Sequence, residues 1–422
     1  MGNLVSDLKW RGLIHDSTGD ATEAALDAGG LTLYWGVDPT ARSMHVGQLL
    51  GLMMLRRLQE AGHRPVLLAG GATGMIGDPS FKATERPLLD EETLATNVAG
   101  IESQLRKFVE FSESSNSAVL VNNFDWTKDV SVLSFLRDVG KHFTVNQMIA
   151  RESVRARLAD REQGISFTEF SYSLLQAFDY LHLFRTYGCS LQVGGSDQWG
   201  NILSGVELVR RSESQSVHAF SWPLVTKADG TKFGKSESGT VWLDAEMTSP
   251  YKFHQFFLRT EDAMVGTYLR YYTFLNRHEI EELDVATRER PQKREAQRRL
   301  ADELTTTVHG SDQCSRAVNA AKLLFDNDFT AMDEAMLVDV FAEVPSVEVS
   351  RSEIDSTLVV DFAVRLGLSP SKSAARKAVE QGGVYLNGDK LTDIDATVPK
   401  LLFDRYAVVR RGKRDYGLVR FG

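Results

Sequence analysis

Only two cysteines, Cys189 and Cys314, occur in 422 residues. They stand far apart and neither sits in a CxxC pair. That excludes a disulfide framework and a cysteine knuckle for a metal, and a reducing, cytoplasmic compartment is the simple expectation. No stretch is long and apolar enough to span a bilayer, and the first residues lack the apolar core of a secretion signal. Gly70 to Gly77 is glycine-rich, but no Gly-Lys-Ser/Thr follows it and it is not GxGxxG, so it is neither of those two phosphate-binding loops. There is no internal repeat and no low-complexity tract. At 42% hydrophobic and 25% charged, the composition is that of an ordinary globular protein. Basic residues are in deficit, for a net charge of −9. The deficit is uneven: residues 351–422 hold 13 Lys+Arg against 9 Asp+Glu, or +4, which leaves −13 for the rest. A basic segment on an acidic body suggests that the segment meets a polyanion, although a solvated charged surface accounts for +4 equally well.

The chain is long enough for more than one domain. Its first half alternates short apolar runs with helical patterns. Leu31–Val37, Pro65–Ala69, Ala118–Asn122 and Ser190–Gly194 read as strands, and Val46–Ala61 and Glu92–Phe111 as helices. This rhythm predicts a parallel sheet wrapped by helices. Such sheets bind ligands at the carboxyl ends of their strands. Asp38, Gly70-Gly71-Ala72-Thr73-Gly74, Asn123 and Gly194-Gly195-Ser196-Asp197-Gln198 all follow predicted strands and are expected to cluster. From Thr248 to about Thr330 charged helical stretches take over, such as Arg288–Val308. Residues 331–354 read as a linker, and a compact basic module begins at Asp355.

Two short segments carry the chemistry. The first, Pro39 to Gln48, includes Thr40, His45 and Gly47, and lies between a strand and a helix. A helix N-terminus there would aim free N–H groups at an anion. The second, Lys232-Phe233-Gly234-Lys235-Ser236, sits in a polar, Gly-punctuated loop. Two lysines on such a loop suit a charge that grows only during reaction. Each segment alone is weak: a lone His is more often structural, and Lys is usually solvated. Together they describe a site that splits ATP between its α- and β-phosphates. Lys82 and Arg86 add two cations four residues apart, a phosphate grip or a solvated loop. In Phe167–Leu183, apolar residues recur at helical spacing while Tyr172, Gln176 and Asp179 fall at i, i+4 and i+7. Facing inward, that stripe offers a phenol, an amide and a carboxylate to a small polar ligand. Facing outward, it is the wet side of an amphipathic helix, and on periodicity alone that orientation is the commoner.

These residues resemble those of the bacterial-type tyrosyl-tRNA synthetases, a class I aminoacyl-tRNA synthetase family, from about Leu4 to the C-terminus. His45-Val46-Gly47-Gln48 stands where the class carries HIGH, and Lys232–Ser236 where it carries KMSKS. Tyr34, Gly36 and Asp38, Gly77-Asp78-Pro79, Tyr172, Gln176, Asp179 and Gly195-Ser196-Asp197-Gln198 match the tyrosine-specific branch. The resemblance implies that Tyr34 and Asp179 hold the substrate phenol. It gives Asp78, Tyr172 and Gln176 the amino group, and places Gln198 near the carboxylate. Gly36, Asp38, Gly47 and Asp197 would contact the adenosine of ATP. Thr40, His45, Lys82, Arg86, Lys232 and Lys235 would stabilise the phosphates. Gln48 departs from the second His of HIGH; its amide can donate a hydrogen bond but cannot become cationic.

The C-terminal module resembles the small RNA-binding fold of a ribosomal small-subunit protein, through Ser369–Lys377 and Gly382–Gly388, the latter with Asn-Gly at a turn. Lys372, Arg376, Lys377, Arg410, Arg411, Lys413 and Arg414 are its candidate RNA contacts. The implied organisation is α/β. It comprises a Rossmann-like catalytic domain with a dimer-interface insertion (1–247), a helical anticodon-binding domain (248–330), the linker, and a small α+β RNA-binding domain (355–422). The implied partners are L-tyrosine, ATP with Mg²⁺, tRNA(Tyr) and a second copy of the chain; no structural metal, membrane or DNA is expected. Two other readings stay open: a paralogue with another acceptor or amino acid, and an RNA-binding regulator with decayed catalysis.

Overall fold

The computed structural model describes residues 3–78, 90–112, 114–151, 154–155, 158, 164–231, 233–236 and 239–422. The chain forms two compact units. One comprises Met1–Ser236, Thr240–Met247 and Thr260–Leu300; the other Glu237–Gly239, Thr248–Arg259 and Ala301–Gly422. The segment expected to be one helical domain is therefore shared between them.

The first unit is built on a six-stranded sheet: β1 (Asp16–Ser17), β2 (Thr32–Val37), β3 (Arg64–Ala69), β4 (Val119–Asn122), β5 (Cys189–Gly195) and β6 (His218–Trp222), in the order β1-β6-β5-β2-β3-β4. All neighbours are parallel except β1 against β6. The parallel core explains the sequence pattern. Strands covered on both faces read as unbroken apolar runs, and β3 is buried at every position after Arg64. Strand order reverses at β2, with β3 on one side and β5 on the other, so a crevice opens beyond their carboxyl ends.

The helix Phe167–Tyr187 packs Leu174, Ala177 and Leu181 into a core with Tyr34, Val66 and Leu68. Ser166 caps its start by accepting the Glu169 N–H, and Gly188 ends it in the left-handed region (φ 63°). The stretch expected to run from Arg288 to Val308 is interrupted. One helix ends at Glu289, a single tight turn spans Pro291–Lys293, and the next helix runs Glu295–His309. Pro291 has no N–H to continue the ladder.

The second unit holds a five-stranded sheet, with strands in the order Asp389–Lys390, Val384–Leu386, Tyr406–Arg411, Asp415–Phe421 and Ser346–Val349. Asn387 (φ 51°) and Gly388 (φ 98°) make the tight turn that Asn-Gly predicts. Residues 331–354 carry structure where a linker was expected. The helix Glu334–Val340 buries Leu337, and Ser346–Val349 pairs in parallel with Asp415–Phe421. Phe329, Met332, Leu337 and Phe341 form a core with Tyr406, Val408 and Leu418. Among the described residues no helix is long and apolar enough to cross a membrane.

Candidate active site

A cavity of about 600 Å³ opens in the first unit, where β2, β3 and β5 end. Its wall carries Tyr34, Asp78, Tyr172, Gln176, Asp179 and Gln198, the six residues matched to tyrosine. It also carries Gly36, Asp38, Thr40, His45, Gly47 and Asp197.

A hydrogen-bond chain crosses the strand ends. Tyr172 Oη donates to Asp38 Oδ2 (2.9 Å), and Thr73 Oγ1 donates to Asp38 Oδ1 (2.8 Å). Gly70 makes room for this: a Cβ there would lie 2.3 Å from Asp38 Oδ1. Buried Asn123 donates through Nδ2 to Thr73 Oγ1 and to Asp179 Oδ2, each at 3.0 Å. The Trp126 indole N–H donates to Asp179 Oδ1 at 3.0 Å. Each Asp179 oxygen thus has one donor. Even so, burial pushes the Asp179 carboxyl up to about 7, against the pull of Asn123 and Trp126.

On this wall the buried Tyr34 Oη, Gln176 Oε1 and Gln192 Oε1 lack a partner among the described residues. Tyr34 and Asp179 are each only 2% exposed. Burial, and then the Asp179 charge, hold the Tyr34 phenol well above its usual range. Leaving such an atom unsatisfied costs about 1–3 kcal/mol. A ligand hydroxyl that donates to Asp179 and accepts from Tyr34 would remove that cost and stabilise the carboxylate. Asp78 accepts from Gln198 Nε2 at 2.7 Å, and Gln198 Oε1 accepts from Asn201 at 3.2 Å.

The two phosphate-type segments are stitched together through the backbone. Val46 N–H donates to Val241 O (3.0 Å), Leu243 N–H to Met44 O (2.9 Å), and Val241 N–H to Gly234 O (3.1 Å). The helix after the first segment begins at Leu49, three residues later than expected, and residues 46–48 form a turn. In that turn His45 Nδ1 accepts the Gly47 N–H at 3.0 Å. The neutral imidazole therefore carries its proton on Nε2, as a donor. A Cβ at Gly47 would lie 2.7 Å from the His45 ring. Gln48 Oε1 accepts the His45 N–H at 3.1 Å, so the residue that departs from HIGH closes the turn, and its side chain lines the cavity. Lys82, Arg86 and Lys232 lie outside the described residues. Lys235 lies in a short strand with Ser236, and its side chain lies outside them too.

Residues 27–326 match the family "tRNA synthetases class I (W and Y)", and residues 337–419 match the "Tyrosine–tRNA ligase SYY-like C-terminal domain". The tyrosine–tRNA ligase of Roseiflexus castenholzii is 49% identical over 424 residues, covering 100% of both chains. That of Streptomyces coelicolor is 51% identical over 424 residues, covering 99% of both. The chain belongs to the tyrosine–tRNA ligase family. Solved structures agree. A C-terminally truncated mitochondrial tyrosyl-tRNA synthetase of Aspergillus nidulans superposes with a TM-score of 0.69 at 34% identity, covering 77% of this chain and 95% of that one. The tyrosyl-tRNA synthetase of Archaeoglobus fulgidus, complexed with L-tyrosine, shares the fold. Its TM-score is 0.55 at 16% identity, covering 74% of this chain and 99% of that one.

In this tyrosine–tRNA ligase family member the candidate RNA contacts fall into two groups. Lys372 pairs with Asp361 (2.7 Å) and Arg376 with Asp395 (3.2 Å). Arg411 donates to Leu368 O (2.6 Å), and the Arg410 guanidinium lies 3.8 Å over the Tyr385 ring. Lys377, Lys413 and Arg414 are exposed, with no ion-pair partner among the described residues. Trp126 escaped the sequence reading altogether. No local spacing links it to Asp179, which stands 53 residues on and is reached only through the fold.

Proposed function

We propose that this chain is a tyrosine–tRNA ligase that activates L-tyrosine with ATP and then passes it to the 3′ end of tRNA(Tyr). The observation that carries the amino-acid assignment is the buried, unpartnered Tyr34 hydroxyl beside the buried Asp179 carboxyl, on the same cavity wall as His45 and Gly47. Tyr34 and Asp179 take the phenol. Tyr172, Gln176 and Asp78 take the amino group.

No general base is needed, because the tyrosine carboxylate is already an anion at neutral pH. It attacks the α-phosphorus of ATP, the P–O bond to the β-phosphate breaks, and pyrophosphate leaves with the charge. The protein positions the two substrates and stabilises that growing charge. His45, as an Nε2–H donor, and Thr40 serve the phosphates with Lys82, Arg86, Lys232 and Lys235; Mg²⁺ enters as part of the ATP substrate. A ribose hydroxyl of the tRNA then attacks the tyrosyl carbonyl of the adenylate, the C–O bond to the phosphate breaks, and AMP leaves as the hydroxyl gives up its proton.

The tRNA is held by the helices after residue 247 and by the C-terminal module, chiefly at Lys377, Lys413 and Arg414. A second copy of the chain covers Val132, Leu133, Leu136 and Val145, which are 53–80% exposed and too apolar to be left in water together. The enzyme works in the cytoplasm.

Exchange of labelled pyrophosphate into ATP, run with each amino acid in turn, tests the reading. Exchange with tyrosine alone, followed by charging of purified tRNA(Tyr), is expected. Exchange driven by another amino acid, or charging of another acceptor, would overturn it.

A further inference from the structure

One ring ties down the loop that carries Lys235. Between Ala228 and Val241 the only large apolar residue is Phe233, and it is 8% exposed. Its ring lies 4.8 Å from that of Tyr268, tilted by 60°, and 6.0 Å from that of Tyr272, stacked at 28°. Both tyrosines are buried on the helix Asp262–Tyr272. Tyr268 Oη also donates to Thr226 O (2.7 Å), and the Phe233 N–H donates to Val225 O (3.3 Å), so the loop entry is fixed as well.

The carboxyl end of that helix is held from elsewhere. Arg57 Nη2 donates to Thr273 O (2.8 Å). Arg11 donates to Arg270 O and Thr273 O (3.2 Å each) and to Leu275 O (2.8 Å). These guanidiniums satisfy carbonyls that a helix end leaves orphaned. Arg57 belongs to the helix Leu49–Glu60, which opens directly after Gln48. The helix Asp262–Tyr272 therefore joins the two phosphate-type segments by a second route. Phe233 rests on one part of it, and the helix that follows His45 grips its end.

We propose that Phe233 is a positioning residue, and that the helix Asp262–Tyr272 is the seat that keeps the Lys235 backbone in register with His45 while charge builds on the leaving pyrophosphate. This rests on the reading of Lys235 as a phosphate ligand in the proposed function. It gives residues 262–275 a part in the first chemical step, whereas the resemblance places them in the helical anticodon-binding domain, 248–330. Phe233 borders the cavity, but its ring packs on Tyr268 and Tyr272, so it acts through its neighbour.

The test is a double-mutant cycle read by single-turnover formation of tyrosyl-adenylate on the full chain. Phe233→Ala should slow the step by about a hundredfold, the scale of a misplaced catalytic group, while the Kd for tyrosine and the Tm stay near wild type. Phe233→Tyr, which keeps the ring, should restore most of the rate. In a Lys235→Ala background, Phe233→Ala should cost less than about threefold, because residues that act as a unit are not additive. A full hundredfold loss in both backgrounds, with Lys235→Ala itself slow, overturns the positioning role and leaves the phosphate reading intact. A Lys235→Ala enzyme as fast as wild type overturns both. Loss of tyrosine affinity or of Tm in step with the rate assigns Phe233 to the core and also overturns the proposal.

Discussion

Replacing Trp126 with Phe should move the pH at which this enzyme takes up tyrosine. The substitution keeps a ring to stack on His182, now 4.3 Å away at 10°, but deletes the indole N–H that Asp179 Oδ1 accepts at 3.0 Å. A hydrogen bond to a charged group is worth about 1.5–3 kcal/mol. At 1.36 kcal/mol per pKa unit, its loss raises the carboxyl by roughly one to two units. Asp179 would then titrate near 8–9 in the empty pocket in place of about 7. At pH 7.5 the ionised fraction falls from about three quarters to about a tenth, so tyrosine should bind roughly eightfold more weakly. The sign follows from the proposed role: the carboxylate accepts the phenol O–H in a charge-assisted bond, and the protonated acid offers only a weaker, neutral acceptor. The assay is the Kd for tyrosine by equilibrium dialysis from pH 6 to 9. The apparent midpoint should shift upward in Trp126→Phe and vanish in Asp179→Asn. Phenylalanine, which has no hydroxyl, should show neither effect. A midpoint that stays put in Trp126→Phe would refute the claim that the indole sustains the charge on Asp179.

Other outcomes follow from the same geometry. Because Asp179 is raised, the folded empty protein keeps a proton that the unfolded chain has released. Its stability should therefore fall as pH rises from about 4 to about 7, and saturating tyrosine should flatten that slope in thermal melts. Tyr34→Phe removes an unpartnered buried hydroxyl, so the empty enzyme should melt no lower, while the preference for tyrosine over phenylalanine in exchange narrows roughly tenfold; a clear drop in Tm would contradict this. Gly47→Ala forces the His45 ring from its place and should cut the adenylate rate by more than about tenfold with tyrosine binding unchanged. Deleting residues 355–422 should abolish charging and retain exchange. It also strips the partners of Phe329, Phe341 and Ser346–Val349, so the product should bind hydrophobic dyes, and a clean monodisperse truncation would count against the shared core.

Much of this architecture is legible in the sequence where burial is two-sided and local. The apolar runs of β2 to β5 stop at Asp38, Gly70, Asn123 and Ser196, so the strand ends announce themselves. The strand His218–Trp222 does not, because its apolar residues are broken by Ser221 and follow a serine-rich stretch. Residues 331–354 read as a linker because the partners of anchors such as Leu337 and Phe341 include Tyr406, Val408 and Leu418, far along the chain. Periodicity puts Tyr172, Gln176 and Asp179 on one stripe but cannot say which way it faces. The structure buries Tyr172 and Asp179, and their partners, Asp38 and Asn123, lie 134 and 56 residues away. Gln48 reads as a loss of charge until its bond to the His45 N–H shows what the amide does.

The parallel pairing of Ser346–Val349 with Asp415–Phe421 bears on how the protein is made. A ribosome releases the first of these strands well before the second. In the interval Ser346–Val349 is an unpaired edge, and Phe329 and Phe341 lack the cover of Tyr406 and Leu418. The six-stranded sheet, complete at Trp222, faces no such delay, and domains fold as units from the N-terminal side during synthesis. A nascent chain thus owns its cavity for small substrates before its second sheet can close. Stalled or slowed translation between residues 350 and 415 would leave both sides of Ser346–Val349 unpaired beside a folded first unit, a larger target for chaperones than the finished sheet, in which one side is paired.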